Sequence, residues 1–259
     1  MSIRPLRESV RPSPVFVAIV GITALGGGLA WTAGDDDGFL AHVGVFVFVI
    51  AGWLVSLCLH EFGHAVTAWR FGDRDVAVRG YLSLNPLRYT DPMLSIALPA
   101  LFIALGGIGL PGGAVYLQTS WMTAARRTVV SLAGPLANVV LAVLLLATAR
   151  LLAAPGHLTF WAAVAFLAFL QVTAVVLNLL PVPGLDGYGA LEPHLSPQTQ
   201  RSLQPVKAWG VLVIFVLLFV PALNQAFFSA VYGLVELSGV PRALAWYGGG
   251  LTRFWSGWL

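Results

Sequence analysis

The clearest chemical pattern in the sequence is the pentad His60-Glu61-Phe62-Gly63-His64. On an α-helix, residues 60 and 64 lie about 40° apart and one turn from each other, so both imidazoles can bind one metal ion. Glu61 lies on the flank of this pair, where its carboxylate can reach a water beside the metal. Two core histidines with a structural glutamate are the alternative, but a glutamate within an apolar helix is costly and usually functional. The pattern therefore predicts a zinc site with His60 and His64 as ligands.

A catalytic zinc site normally takes three protein ligands and leaves a fourth position open. The segment 178–187, NLLPVPGLDG, supplies Asp186 as a candidate third ligand. It follows a helix that two prolines terminate, and such broken backbone at membrane depth is tolerated where it lines a cavity. Because Asp-Gly is also a common turn pair, a cytoplasmic turn is the alternative. We predict that Asp186 completes the site, and His194 is the substitute ligand.

A third cluster of small and polar residues, SLAGPLAN, occupies positions 131–138. Ala133 and Gly134 would permit close contact between helices, as small residues do in bilayers. Asn138 would then face a partner helix or a cavity, and helix packing is the simpler interpretation from spacing alone. All three clusters lie near helix ends that we expect on the same side of the membrane, so they can converge on one site.

The composition indicates a membrane protein. The chain has 259 residues, of which 58% are hydrophobic and 10% are charged, and its mean hydropathy is +0.84. Soluble domains are usually about 45–50% apolar and about 25% charged, so an ordinary cytosolic globule, a disordered chain and a collagen-like chain are excluded. The single cysteine, Cys58, excludes an internal disulfide. A net charge of +3 does not require nucleic acid as a partner, since basic residues also mark the cytoplasmic ends of membrane helices.

The elements that must position these residues are apolar runs of roughly 20 residues, the length of a membrane-spanning helix. We therefore predict an all-α polytopic membrane protein, a single integral membrane domain over 1–259. About six transmembrane helices are expected, at 15–33, 39–69, 128–152, 159–180, 209–223 and 225–240. The first run is the N-terminal span, although Gly28-Leu29-Ala30 would also suit the cleavage site of a secretory signal peptide. Between the second and third helices we expect a short strand or hairpin at 76–84 and a re-entrant segment at 92–118.

The positions of the basic residues predict the orientation of the chain. The segment 70–88 carries four arginines, and Arg126 and Arg127 precede the next span, so both regions should be cytoplasmic. With a C-terminal hairpin at about 209–240, every basic residue except Arg150 would lie on that side. This arrangement predicts a multi-pass protein, typical of a bacterial cell membrane, with its N-terminus and active site toward the cytoplasm.

Together, HEFGH, SLAGPLAN and NLLPVPGLDG resemble, in order and spacing, the HExxH, GPxxN and NxxPxxxLDG motifs of the site-2 protease family of intramembrane zinc metalloproteases. The stretch 80–92, GYLSLNPLRYTDP, resembles the compact bacterial and archaeal subgroup that lacks PDZ and CBS domains. The similarity covers about residues 39–220.

This resemblance implies a zinc-dependent endopeptidase with one zinc ion per chain, held by His60, His64 and Asp186. Glu61 would be the catalytic glutamate, and Asn138 would contact the substrate backbone or the developing oxyanion. The implied substrate is a membrane-anchored protein cut in or near its transmembrane segment, and the implied surroundings are the lipid bilayer. The substrate's exposed backbone could pair with an extended segment at 76–90 or 111–118.

Two other functions remain open from the residues. A divalent metal transporter also holds histidine and aspartate at mid-membrane, often in repeated halves, but the sequence shows no repeat and a carrier does not need Glu61. A catalytically inactive homologue that binds a membrane protein would keep the same motifs. Neither the substrate nor the oligomeric state follows from the sequence.

Overall fold

The structure is a computed structural model that describes residues 10–89, 97–104, 116–206 and 210–253. Within these ranges the regular elements are helices and no strand is found. The α-helices are α1 (Pro14–Ala33), α2 (Phe39–Arg70), α3 (Asp75–Val78), α4 (Pro86–Tyr89), α5 (Leu98–Ala104), α6 (Ala124–Leu152), α7 (Leu158–Asn178), α8 (Asp186–Leu191), α9 (Pro197–Leu203), α10 (Gly210–Phe219), α11 (Pro221–Leu237) and α12 (Arg242–Leu251). Two 3₁₀ turns occupy Tyr81–Ser83 and Glu192–His194.

Four helices, α1, α2, α6 and α7, are long and apolar enough to cross a membrane, and α10 with α11 makes a fifth if the bent pair is one span. The protein is therefore an all-α polytopic membrane protein, as the sequence predicts. The side chains on the outer face of α6, among them Leu136, Val140, Val143 and Leu144, are more than half exposed. Such a face suits contact with lipid.

The central element is α7, of which fifteen of the 21 residues are buried. It packs against α2, α6, α11 and α12, so its apolar residues form the middle of the main core. Helices α1 and α2 approach closely, because a Cβ on Gly44 would come within 2.6 Å of the backbone nitrogen of Ala30. The glycine at 63 does the same for α2 and α6, since a Cβ there would meet the carbonyl oxygen of Ala133 at 2.6 Å.

The predicted strand or hairpin at 76–84 is wrong. This stretch contains the end of α3 and the turn Tyr81–Ser83, and the chain turns at Gly80 and Leu84, both with positive φ. Folded in this way, Val76 and Leu82 are buried in a small cluster against the end of α2. Alternation over so few residues also fits short helical turns. Most of the predicted re-entrant segment 92–118 lies outside the described residues, apart from 97–104, which contain α5, and 116–118.

The predicted C-terminal hairpin is also wrong. Helices α10 and α11 meet at an angle of 87° at the break before Pro221. A Cβ on Gly210 would meet the carbonyl of Pro183, at the end of the bundle where α7 finishes, whereas one on Gly239 would lie 2.8 Å from Arg150, at the opposite end. The bent pair therefore leads from one end of the bundle to the other. Arg242, which follows, lies at the Arg150 end and not with the basic residues at 70–88.

This correction can be tested by labelling single cysteines. In a Cys58→Ala background, Arg79→Cys and Arg242→Cys each place one thiol at an exposed position. We expect a membrane-impermeant maleimide to label the two variants from opposite sides of the membrane in intact and permeabilised cells. Labelling of both variants from the same side would contradict this correction and support the predicted C-terminal hairpin.

Candidate metal centre

Three side chains from distant parts of the sequence meet inside the bundle: His60 and His64 of α2, and Asp186 at the start of α8. The two Nε2 atoms are 3.1 Å apart. Asp186 Oδ2 lies 3.2 Å from His60 Nε2, and Asp186 Oδ1 lies 3.3 Å from His64 Nε2. Among the residues that the structure describes, this is the one group of three or more His, Cys, Asp or Glu residues arranged to hold a metal ion.

These separations fit zinc. Ligand bonds of about 2.0–2.1 Å at tetrahedral angles place neighbouring donor atoms about 3.3 Å apart. The two Nε2 atoms, 3.1 Å apart, are close to that value, and each has one oxygen of Asp186 at 3.2 or 3.3 Å, Oδ2 for His60 and Oδ1 for His64. The carboxylate of Asp186 is oriented toward the two rings. Its Oδ2 atom is buried and lacks the hydrogen-bond partner that a buried oxygen normally has. Two imidazoles and one carboxylate are also the donor types that zinc prefers.

Gly134 leaves the space that an ion would need. A Cβ at this position of α6 would come within 2.2 Å of His64 Nε2 and 2.6 Å of His60 Nε2. Any side chain there would therefore occupy the region between the ligand atoms. The sequence predicts that Gly134 permits close contact between helices. The atoms nearest to a Cβ at this position are those of the two histidine rings, so Gly134 also makes room beside the candidate ligands.

The loop after α7 directs Asp186 into the site. The chain turns at Gly184, with φ of +102°, and α8 begins at Asp186. A Cβ on Gly187 would lie 2.3 Å from the carbonyl oxygen of Leu179, so this glycine lets the start of α8 pack against the end of α7. The Leu-Asp-Gly sequence thus supplies both the ligand and the close approach that places it.

Each histidine is hydrogen-bonded through Nδ1, while its Nε2 faces the other two candidate ligands. His64 Nδ1 lies 2.7 Å from the carbonyl oxygen of Val130, which can only accept a hydrogen bond, so this nitrogen carries the proton. His60 Nδ1 lies 2.5 Å from Asn138 Oδ1. A proton on Nδ1 leaves the lone pair on Nε2 free to face a metal, which is the usual arrangement for metal-binding histidines.

The remaining predicted residues have defined positions. The Glu61 side chain is buried with 4% exposure, next in sequence to His60. Asn138 is equally buried, and its amide bonds to His60 and Gln171. The substitute ligand His194 does not join the group, because it is exposed and bonds to Thr128 through Nε2 at 2.9 Å.

Sequence reasoning missed Gln171, which contacts Asn138 from α7. It is a fully polar side chain in the middle of the apolar run LAFLQVTAVV, and it is 1% exposed. A polar residue at such a position in a membrane helix is usually paired and functional. That signal was present in the sequence.

Two histidines four residues apart on one helix, a glutamate directly after the first and a carboxylate as the third candidate ligand are typical of a zinc metalloprotease, here within a bundle of membrane-length helices. The chain is 66% identical over 259 residues, all of both chains, to a protein of Mycolicibacterium smegmatis provisionally named zinc metalloprotease Rip2. It is 66% identical over 253 residues, 98% of both chains, to the protein of the same provisional name from Mycobacterium tuberculosis strain H37Rv. Bacillus subtilis strain 168 has a more distant relative, provisionally named zinc metalloprotease YwhC, which is 29% identical over 71% of this chain and 86% of its own length.

No family model matches the chain, and no solved structure matches it significantly. The identity and coverage of the curated relatives nevertheless show that the chain belongs to the site-2 protease family of zinc metalloproteases. It is accordingly a zinc-dependent metalloprotease with several membrane-spanning helices.

Proposed function

We propose that this protein is an intramembrane endopeptidase that hydrolyses peptide bonds in or near the transmembrane segments of membrane-anchored proteins. The observation that carries the proposal is the depth of the metal centre. His60 lies ten residues before Arg70, the last residue of α2, which is about 15 Å along the helix axis. The site is therefore built within membrane-length helices and not in a domain outside them.

In the proposed reaction, His60, His64 and Asp186 would hold one zinc ion. When bound, zinc polarises the substrate carbonyl and lowers the pKa of a water molecule toward about 7. Glu61 accepts the proton of the attacking water and later delivers it to the leaving amine. Its burial suits this role, because a carboxylate kept away from bulk water can exchange its proton with the reacting groups. The predicted contact of Asn138 with the substrate or oxyanion stays a prediction.

A substrate helix must unwind before its peptide bond can reach Glu61, because helical carbonyls are hydrogen-bonded and unsatisfied backbone is costly in lipid. The segment at 76–84 does not supply a strand to pair with it. Residues 116–118 are free of helix in the structure and are fixed by Asp73, which accepts a 2.8 Å hydrogen bond from the backbone N–H of Gln118. This leaves 111–118 as the predicted pairing segment, of which 111–115 lie outside the described residues.

We propose that the end of the bundle nearest the site faces the cytoplasm of a bacterial cell. That end carries Arg11, Arg70, Arg74, Arg79, Arg88, Arg126, Arg127 and Arg201, whereas the opposite end carries Arg150, Arg242 and the acidic turn 35–37. The excess of arginine supports this orientation through the positive-inside rule. A cytoplasmic opening also gives water a short route to the centre.

Cleavage in proteoliposomes tests this function. The purified protein and a panel of tagged single-span protein fragments are reconstituted together, and the products are measured by mass spectrometry. We expect at least one fragment to be cut in or near its apolar segment, and His60→Ala to abolish the cut. Cuts confined to soluble loops would contradict the intramembrane assignment.

The same vesicles separate the alternatives. A zinc-sensitive dye inside them reports metal flux. Zinc uptake without cleavage would favour the transporter, and retention of a fragment with neither uptake nor cleavage would favour an inactive homologue.

A further inference from the structure

A row of buried polar side chains leads from the back of His60 into the middle of the bundle. It consists of Asn138 on α6, Gln171 on α7 and Ser56 on α2, with exposures of 4%, 1% and 4%. Asn138 Nδ2 lies 2.8 Å from Gln171 Oε1, and Gln171 Nε2 lies 3.0 Å from Ser56 Oγ. Ser56 Oγ in turn lies 2.7 Å from the carbonyl oxygen of Trp53. We call these three side chains the amide relay.

The direction of the amide relay follows from its last contact. The Trp53 carbonyl can only accept, so the hydroxyl of Ser56 donates to it, and the Ser56 oxygen accepts from Gln171 Nε2. Gln171 then presents Oε1 to Asn138, which donates through Nδ2 and presents Oδ1 to His60. Reversing the row would leave the Ser56 and Trp53 oxygens 2.7 Å apart with no proton between them.

The consequence falls on the ring of His60. Since Asn138 presents an oxygen, His60 Nδ1 must be the protonated nitrogen, and the lone pair of Nε2 faces His64 and Asp186. If the Asn138 amide turned over, its N–H₂ would face Nδ1, and the proton would move to Nε2 and block metal binding. His64 needs no such device, because a backbone carbonyl that cannot turn over holds its Nδ1.

We propose that Gln171, anchored by Ser56, is a positioning residue that fixes the amide orientation of Asn138 and thereby the tautomer of His60. The proposal rests on the proposed zinc ligands. Both polar ends of the Gln171 amide are hydrogen-bonded, Oε1 to Asn138 and Nε2 to Ser56. Because an unpaired amide would be costly in this apolar core, these two hydrogen bonds hold Gln171 in one orientation. Partners behind metal-binding histidines are typically worth about 10- to 100-fold in metal affinity.

The test compares two substitutions at one position. Gln171→Leu removes the acceptor that holds Asn138 Nδ2, so zinc affinity should fall about 10- to 100-fold. Gln171→Glu keeps an oxygen facing Asn138 whether or not the new carboxyl is protonated, so the affinity should stay within about threefold of wild type. The matched control is Thr173→Val, two residues away on α7, which is equally buried and bonds to its own helix at Phe169.

Zinc affinity is measured on the full purified chain in detergent by competition with a chelator. The visible spectrum of the cobalt-substituted protein serves as a second readout, because it reports the ligand geometry of whatever metal is bound. In Gln171→Leu we expect an altered cobalt spectrum and in Gln171→Glu the wild-type spectrum.

Equal affinities for Gln171→Leu and Thr173→Val would overturn the proposal, and so would a Gln171→Glu variant as weak as Gln171→Leu. A wrong assignment of the zinc ligands would give a different result. In that case His60→Ala and Asp186→Ala would bind zinc as tightly as wild type.

Discussion

Replacing Glu61 with glutamine should lower the rate of peptide cleavage by about 10²- to 10⁴-fold, while zinc stays bound. Glutamine has nearly the same shape as glutamate but cannot accept the proton of the attacking water. The three proposed ligands are unchanged by this substitution, so the metal content should remain near one zinc per chain. The measurement is the initial rate of cleavage in proteoliposomes together with the zinc content of the same sample.

Glu236→Gln is the matched control, because Glu236 lies at the opposite end of the bundle, half exposed and 3.7 Å from Arg242. This variant should cleave at the wild-type rate. If Glu61→Gln kept wild-type activity, Glu61 would not be the proton acceptor. If it lost both zinc and activity, Glu61 would be holding the metal.

Replacing Gly134 with alanine should weaken zinc binding by at least about a hundredfold. The added methyl carbon would lie within 2.6 Å of the Nε2 atoms of both His60 and His64, far closer than two non-bonded atoms allow. Either the rings turn away or α6 moves outward, and both changes separate the ligands. Because alanine favours a helix more than glycine does, the helix itself should not be weakened.

The control is Gly233→Ala in α11, where a Cβ would meet nothing within 4 Å. Zinc content and affinity are measured on both variants, with thermal unfolding of the metal-free proteins to compare their folds. A Gly134→Ala protein that bound zinc as tightly as Gly233→Ala would show that the space beside Gly134 is not the metal site.

Much of the site could be anticipated from the sequence because its chemistry depends on local spacing. The four-residue separation of His60 and His64 fixes their shared helix face wherever α2 lies. Asp186 could be proposed because it follows a proline-broken helix, which is tolerated at membrane depth where it lines a cavity, and because the histidine pair still needs a third ligand. The structure brings these three side chains together, while their role as zinc ligands stays a prediction.

The conformation of 76–84 and the course of the C-terminal helices could not be predicted from the sequence. The strand predicted at 76–84 rested on alternation over a few residues, and burial of Val76 and Leu82 against α2 is equally well achieved by short helical turns. The C-terminal hairpin rested on placing Arg242 with the other arginines, but the sequence does not show that the backbone bends by 87° before Pro221 and continues to the other end.

The sequence marks Gln171 as a polar residue within an apolar helix, but it does not show what Gln171 does. Its role depends on which neighbours meet it in space, since Asn138 and Ser56 are 33 and 115 residues away in the sequence. Spacing within a single helix cannot show such a contact.

The most direct test of the central claim is anomalous diffraction at the zinc absorption edge from crystals of the purified protein. One peak per chain is expected, at about 2.0–2.2 Å from His60 Nε2, His64 Nε2 and an oxygen of Asp186. A zinc peak elsewhere, or one bound to the two histidines with the Asp186 carboxylate outside bonding distance, would contradict the claim.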